Sequence, residues 1–305
     1  MNTAPSSLPV PVRAWIVFLA VAFGFSWTAS EMYYRHVART PALDTAFGML
    51  FMWGPALGAL ASARFAMPDR WQFLKPVVKK SHWLWLAWLG PIAFALSWIL
   101  SGALLPGVSL VQDAATLSEN LLRQVPDHAR AAAQAQIQRI GAWLPLAFLA
   151  QSIAGALIAA LTINLVAAFG EELGWRGFMH RAIAPMGFWR GALVVGLVWG
   201  IWHAPMILRG HNYPAHPELG VAMMTLFCVL CAPLFAWVRD KTGSVLGASI
   251  LHGSLNATGG MVLFNAGGND LLIGPAGVAG MMVLLMLNAI LWWQMRRCSN
   301  DTHTP

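Results

Sequence analysis

Two adjacent carboxylates, Glu171 and Glu172, end a long apolar stretch and are followed by Arg176. Residues four apart share one face of an α-helix, so Glu172 and Arg176 can form an ion pair. Glu171 points about 100° away from Glu172 around the helix axis. One carboxylate can therefore be neutralised by the arginine while the other faces a cavity, which suits one structural and one catalytic acid. A solvated helix end is the competing interpretation of this segment.

Two further polar pairs have the same four-residue spacing. Trp199 and His203 share one helix face, and His252 and Asn256 share another. Either pair alone is typical of polar contacts between packed helices. Ionisable residues within a membrane are costly and usually functional, however, and these motifs interrupt otherwise apolar stretches.

The three motifs are expected at one depth. Each lies at a similar distance along its helix from a basic residue, which corresponds to about 15–20 Å at 1.5 Å per residue. A common buried cavity explains this agreement. The separations are 10 residues from Glu171 to Arg181, 13 from Arg190 to His203, and 11 from Lys241 to His252.

The composition predicts a membrane protein. Hydrophobic residues make up 58% of the 305 and charged residues only 10%, whereas soluble domains carry about 25% charged residues. The apolar excess must face lipid, so the bilayer is a predicted partner. The net charge of +7 is spread singly or in small groups, which argues against a nucleic-acid partner.

Eight apolar stretches are long enough to predict an all-α membrane protein with about eight transmembrane helices and an intramembrane cavity. The polar segment 108–140 separates the third stretch from the fourth, and its alanine-rich part, 129–140, is predicted to be a surface helix. We divide the chain into N-terminal helices and an outer loop (1–141), a catalytic core (142–264), and a last helix with its tail (265–305). The eight stretches are 14–30, 42–65, 83–105, 143–170, 188–207, 221–238, 243–264 and 271–293.

The basic residues predict the orientation. Lys and Arg are enriched in cytoplasmic loops, and an eight-span chain with both termini in the cytoplasm places thirteen of them inside and six outside. We therefore expect a multi-pass protein of the inner (plasma) membrane with both termini cytoplasmic. The inner set is Arg13, Arg64, Arg70, Lys75, Lys79, Lys80, Arg176, Arg181, Arg190, Arg239, Lys241, Arg296 and Arg297, and the outer set is Arg35, Arg39, Arg123, Arg130, Arg139 and Arg209.

Together the motifs resemble those of the CPBP family of intramembrane proteases, which includes the type II CAAX prenyl endopeptidases and bacteriocin-immunity homologues. The family pattern is E-E-x-x-x-R, an aromatic residue with x-x-x-H, then H-x-x-x-N/D, and it is met in order over 151–264. Trp199 replaces the commoner Phe and is expected to keep its packing role. The resemblance implies a membrane-buried cavity open to the cytoplasm, and hydrolysis near the C-terminus of a peptide or membrane-protein substrate, next to a prenylated cysteine in the founding members.

No serine or cysteine has a clear nucleophile arrangement. Ser254 is two residues from His252 and faces elsewhere, and Cys228, Cys231 and Cys298 fall outside the motifs. Cys228 and Cys231 are interpreted as small packing residues within a helix. A water nucleophile is then the simplest mechanism.

We predict that Glu171 is the general base for this water and that His203 holds and polarises it. His252 and Asn256 would donate hydrogen bonds to the oxyanion, and Arg176 would orient the carboxylates through Glu172. An equally weighted alternative is a zinc site formed by His203, His252 and either Glu171 or Glu172, because two histidines and a carboxylate make a known catalytic set. No H-E-x-x-H motif dictates a metal.

Two other classes of protein compete with the protease. A transporter also places charges at mid-membrane depth, but no inverted repeat is visible. A non-proteolytic regulator or immunity protein would keep the fold and tend to lose site residues, so the complete set favours the enzyme. His211 and His216 occupy a Pro-rich segment, which predicts an outer surface loop without a catalytic role.

Overall fold

The computed structural model describes residues 10–66 and 81–301, and nearly all of them are helical. Arg70, Lys75, Lys79, Lys80 and the side chain of Cys298, which the sequence predictions used, lie outside the described residues. The helices are α1 (Val12–His36), α2 (Pro41–Met52), α3 (Gly54–Ala66), α4 (Trp83–Gly102), α5 (Ala114–Gln124), α6 (Asp127–Ile140), α7 (Leu144–Ala159), α8 (Ile163–Glu172), α9 (His180–Ala182), α10 (Phe188–Trp202), α11 (Ala204–Ile207), α12 (Pro217–Thr242), α13 (Val245–Ala257) and α14 (Val278–Asp301).

Irregular helical turns and one small sheet complete the described chain. A π-helix, Leu173–Met179, continues α8, and 3-10 turns occupy Gly141–Trp143, Ala184–Met186 and Gly259–Phe264. Strands β1 (Val108–Leu110) and β2 (Asn265–Gly267) pair antiparallel, with Ser109 opposite Ala266.

Six helical segments of the described chain are long and apolar enough to cross a membrane, which confirms the all-α membrane class. They are α1, α2 with α3 (41–65), α4, α6 with α7 (127–159), α12 and α14. They coincide with six of the eight predicted stretches. The other two correspond to shorter helices, α10 with 15 residues and α13 with 13. The fourth predicted stretch is interrupted after Ala159 and resumes as the 10-residue α8.

The short helices carry the polar motifs. Glu171 and Glu172 end α8, His203 directly follows α10, and His252 and Asn256 lie on α13. Helix ends leave backbone groups without intrahelical partners, and irregular backbone at membrane depth is tolerated only where protein buries it or a cavity hydrates it. Helices that stop short are therefore compatible with a polar cavity at the positions where they stop.

One end of the helix bundle carries the start of α1 and the ends of α3 and α12; we call it the basic face. Arg13 lies over the Phe65 ring, and Lys241 lies over the Trp83 ring at the start of α4. His180 pairs with Asp240 beside the turn 183–187. The basic residues assigned to the cytoplasm and described by the structure cluster at or near this end.

The opposite end, the loop face, carries the segments 103–113, 208–216 and 265–277. Arg209 bonds Glu31 near the end of α1, and the Ser101 hydroxyl donates to the carbonyl of Ala279 at 2.8 Å, joining the end of α4 to the start of α14. Helix α6 lies at this end with none of its residues buried, as expected for the predicted surface helix. The described chain thus begins and ends at the basic face.

Close helix packing fixes the position of α8 in the bundle. A Cβ at Gly170 would lie 2.9 Å from the carbonyl oxygen of Met52, and one at Gly174 would collide with Pro55. Glycines therefore let the backbones of α2 and α3 approach the two glutamates. Aromatic rings pack around the same turn, with Trp175 edge-on to Phe18 and to Trp202.

Candidate active site

The Glu171 carboxylate is held by two tryptophans. Its Oε2 accepts a hydrogen bond from the indole Nε1 of Trp199 at 2.7 Å and another from Trp175 at 3.3 Å. The residue is only 2% exposed, and it contributes to the wall of a large cavity. The other carboxylate oxygen accepts no hydrogen bond from the described part of the chain, so Glu171 retains an oxygen for chemistry in that cavity.

The Glu172 carboxylate is turned away from this cavity and is fully buried. Its Oε1 accepts hydrogen bonds from Arg176 Nη1 at 3.0 Å and from His252 Nδ1 at 2.8 Å. The ion pair expected from the four-residue spacing is therefore present, although the residues that follow Glu172 form a π-helix rather than an α-helix.

The Arg176 guanidinium is almost completely enclosed. It is 1% exposed and lies between the rings of Trp199 and Phe235, at 4.4 Å and 4.5 Å from their centroids. Its Nη2 has no hydrogen-bond partner among the described residues. The aromatic faces attract the cation, but Glu172 supplies the neutralising charge, so the two residues depend on each other for their burial.

The tautomer of His203 follows from its partner. Its Nδ1 lies 2.9 Å from the carbonyl oxygen of Trp199. Because a carbonyl oxygen only accepts, Nδ1 must carry the hydrogen. The neutral ring therefore has its lone pair on Nε2, and since His203 lines the cavity, Nε2 can accept a hydrogen bond from a molecule there.

His252 links the two carboxylates to the cavity. Its Nδ1 is bonded to Glu172, and its ring packs edge-on against Trp199 with the centroids 5.5 Å apart. Its Nε2 is left for the cavity, where it donates when the ring is protonated. Asn256 lies one turn further along α13, is exposed, and lines the same cavity.

The cavity has a volume of about 690 Å³, with a polar end and largely apolar walls. Four of the six predicted site residues line it, namely Glu171, His203, His252 and Asn256. Glu172 and Arg176 lie behind Glu171, outside the lining. The apolar wall includes Phe51, Met52, Trp202, Met224, Phe227 and Leu255.

Sequence reasoning missed the two indole donors. Trp199 was expected only to pack, yet its N–H makes the shorter of the two bonds to Glu171 while its carbonyl orients His203. Phenylalanine at this position would supply no such donor. Trp175 lies four residues after Glu171, the same offset that joins Glu172 to Arg176, so the spacing contained a signal for this contact.

The fold also brings unexpected residues to the cavity. Cys228, interpreted as a packing residue outside the motifs, is buried as expected but lines the cavity, with its Sγ 3.9 Å from His203 Nδ1. His211, which is exposed in a loop as predicted, lines the cavity as well. His216 is bonded to Asp270 at 2.5 Å.

The proposed zinc ligands do not form a preassembled metal site. Within residues 10–66 and 81–301, no three His, Cys, Asp or Glu side chains are grouped closely enough to hold a metal ion. Glu171 is engaged by two indoles, and His252 faces Glu172 through Nδ1. The residues as arranged do not fit zinc.

Fold and site together define a polytopic helical membrane protein with a buried carboxylate and two histidines at the floor of one cavity. Comparison with known proteins supports one family. The model of the Rce1-like family, type II CAAX prenyl endopeptidases, matches residues 153–258, which supports the resemblance that the motifs indicated. The match contains all six candidate residues.

A curated relative agrees with this assignment. CAAX prenyl protease 2 of Methanococcus maripaludis is 33% identical over 54 residues, which is 17% of this chain. The alignment spans 20% of that relative's length.

Proposed function

We propose that this protein is an intramembrane endopeptidase that hydrolyses a peptide bond of a membrane-associated substrate with a water molecule activated by Glu171. The proposal rests on the different surroundings of the two adjacent carboxylates. Glu172 is neutralised by Arg176 behind the cavity, whereas Glu171 lines the cavity beside His203, His252 and Asn256. This arrangement matches the needs of general-base hydrolysis.

In the first step, water bound between Glu171 and His203 attacks the carbonyl carbon of the substrate. Nε2 of neutral His203 accepts one hydrogen bond from this water, and the Glu171 carboxylate removes the other proton as the new C–O bond forms. The indole donors keep Glu171 aimed at the water. The Asn256 amide, and Nε2 of protonated His252, donate to the oxyanion that develops on the carbonyl oxygen.

In the second step, the tetrahedral intermediate collapses and the C–N bond breaks. The proton that Glu171 took from water passes to the leaving nitrogen, which departs as an amine, and the other product is a new carboxylic acid. Glu171 returns to its carboxylate form. His252 stays oriented through Glu172, which Arg176 holds in place.

The walls support a peptide substrate with apolar side chains. Aromatic, methionine and leucine side chains border the polar end of the cavity, and they would bury apolar groups next to the scissile bond. We propose that the substrate is a membrane-attached peptide or protein segment, with a lipidated cysteine as one form of attachment. The printed name of the relative, CAAX prenyl protease 2, accords with this class.

Cys228 is the other nucleophile to consider, because its sulfur lies near His203. The nearest ring nitrogen is Nδ1, which carries a hydrogen donated to Trp199, so it cannot remove the thiol proton. We expect Cys228→Ala to keep turnover within about threefold of wild type, since only a small packing contact is lost. Steady-state turnover of the purified variant measures this. A loss of turnover as large as that of Glu171→Gln would show that the Cys228 thiolate, and not water, is the nucleophile.

Trp199→Phe tests the indole donor separately from packing. The substitution keeps an aromatic ring between Arg176 and His252 but removes the 2.7 Å bond to Glu171. Hydrogen bonds to charged groups contribute about 1.5–3 kcal/mol, so kcat should fall by roughly 10- to 100-fold. KM and thermal stability should change little. Trp88→Phe, which removes an indole bond to the Leu157 carbonyl away from the cavity, is the matched control; equal losses in both variants would assign Trp199 a packing role only.

Zinc catalysis is the alternative proposal. It requires His203, His252 and Glu171 to move from their present arrangement and bind the ion. Elemental analysis of the purified protein, with turnover before and after chelation, separates the two mechanisms. One zinc per chain and loss of turnover on chelation would favour the metal, and full turnover in metal-free protein would favour glutamate alone.

The proposed function is tested with purified protein in liposomes that also contain a library of membrane-anchored peptides. Mass spectrometry identifies any peptide that wild-type protein shortens and Glu171→Gln does not. Cleavage that depends on Glu171 supports the endopeptidase. Binding without cleavage by either protein would favour the non-proteolytic regulator.

A further inference from the structure

One glycine in the cavity wall is explained neither by backbone conformation nor by packing. Gly48 lies within α2, and glycine is among the poorest residues for a helix interior. Its φ is not positive, so the backbone conformation does not require glycine. Apart from its chain neighbours and the backbone of its own helix, no atom of the described residues lies within 4 Å of the position that a Cβ would take.

Other helical glycines of the bundle have a clear packing role. A Cβ at Gly58 would lie 2.7 Å from the carbonyl oxygen of Phe18, and one at Gly200 would lie 2.4 Å from the Cα of Thr225. These glycines let two helices approach each other closely. Gly48 makes no such contact, so the volume that its missing side chain leaves holds no atom of the described residues.

This volume belongs to the cavity and not to the outer side of α2. Gly48 lines the cavity, and so do Phe51 and Met52, which follow it by three and four residues and share its face of the helix. Leu50 is 51% exposed, and its position points about 200° away from Gly48 around the helix axis. The outer face of α2 is therefore the opposite one, and a side chain at position 48 would extend into the cavity.

The volume beside Gly48 lies one helical turn from the level of Glu171. The carbonyl oxygen of Met52 is 2.9 Å from the position of a Cβ at Gly170, the residue before Glu171. Gly48 precedes Met52 by four residues, which is about 6 Å along the helix axis. An extended peptide advances about 3.3 Å per residue. A substrate that runs along α2 therefore places beside Gly48 a side chain about two residues from the scissile bond.

We propose that Gly48 determines the size of the substrate side chain that the cavity accepts about two residues from the scissile bond, and that the preferred side chain there is large and apolar, such as phenylalanine. The inference rests on the proposed function for the scissile bond, whereas the volume beside Gly48 does not depend on it. Phe51 and Met52 offer apolar surface next to this volume, and burial of an apolar group against them is favourable. Gly48 lies outside the matched segment 153–258, so the motifs of that segment do not include this position.

The test compares Gly48→Leu and Gly48→Ala with wild type in liposomes that hold pairs of membrane-anchored peptides. The two peptides of a pair differ only by alanine or phenylalanine at one position, and this position differs from pair to pair. Mass spectrometry measures cleavage, and co-purification with the same variants in a Glu171→Gln background measures retention without cleavage. Gly24→Leu is the matched control, because Gly24 is exposed on α1, has no atom within 4 Å of its Cβ position and does not line the cavity.

We expect Gly48→Leu to lower both cleavage and retention of the phenylalanine peptide at least about tenfold relative to its alanine partner, in the pairs that vary the position beside Gly48. A single methylene group in an apolar pocket changes discrimination between substrates by about 10- to 200-fold. Gly48→Ala should have a smaller effect, and Gly24→Leu should have none. Leucine is the better helix former, so the thermal midpoint of Gly48→Leu should not fall below that of wild type.

The proposal is overturned if Gly48→Leu treats the two peptides of every pair as Gly24→Leu does. Equal losses for both peptides of a pair would overturn it too, because Gly48 would then serve the fold or the reaction and not the size of the substrate. Selective loss of retention, with no cleavage even by wild type, would support the role of Gly48 and contradict the endopeptidase. Cleavage by wild type that Gly48→Leu leaves unchanged would contradict only the role of Gly48.

Discussion

Glu171→Gln is expected to abolish turnover and to leave the protein folded. The glutamine amide is isosteric and its oxygen can still accept the indole hydrogen bonds from Trp199 and Trp175. It cannot remove a proton from water, and positioned general bases contribute about 10²- to 10⁴-fold. We therefore expect a loss of at least about 100-fold in kcat, with an unchanged thermal midpoint in detergent.

The measurement pairs turnover on a cleavable membrane-anchored reporter with thermal unfolding of the same preparation. Glu119→Gln is the matched control, since this glutamate lies exposed on α5 at the loop face. It should behave like wild type in both assays. An active Glu171→Gln protein would show that this carboxylate is not the base.

Glu172→Gln is expected to damage stability as well as turnover. The substitution removes the negative charge next to Arg176, whose side chain is 1% exposed. Removing one partner of a buried ion pair costs about 3–5 kcal/mol, because the other charge stays buried without compensation. His252 would also lose the charged acceptor that orients its ring. The thermal midpoint should fall well below that of both wild type and Glu171→Gln.

Glu119→Gln is also the control for Glu172→Gln, because Glu119 has an arginine at the same four-residue spacing. Glu119 and Arg123 also stand four residues apart, but their side chains are 71% and 73% exposed. Exposed pairs contribute little, so Glu119→Gln should leave the midpoint unchanged. If Glu172→Gln is stable and inactive while Glu171→Gln is active, the two roles are reversed. If both variants keep the full turnover of wild type, neither carboxylate is needed for cleavage and the glutamate-dependent mechanism is excluded.

Helix geometry made part of this site predictable. Spacing of four residues joined Glu172 to Arg176, and the structure contains that ion pair. The 100° offset between adjacent helix positions predicted that Glu171 points away from Glu172, and Glu171 lines the cavity. These relations are local to one turn, so they survive even where the α-helix continues as a π-helix. The assignment of catalytic roles to these residues stays a prediction.

Tertiary packing decided what the sequence could not predict. The break between α7 and α8, and the short α10 and α13, lie within apolar stretches that hydropathy treats as continuous. Cys228 lies on α12, outside the motifs, and reaches His203 only because α12 packs against α10. The indole bond of Trp199 to Glu171 crosses between helices, and no spacing rule along one helix predicts such a contact.

The most direct test of the central claim compares the C-termini of membrane proteins in cells that contain either wild-type protein or Glu171→Gln at equal abundance. We expect a small set of new C-termini, together with the released peptides, that occurs only with wild type. Restoring Glu171 should restore them. Identical sets of C-termini in the two strains, with both proteins folded in the membrane, would contradict the assignment of this protein as a glutamate-dependent intramembrane endopeptidase.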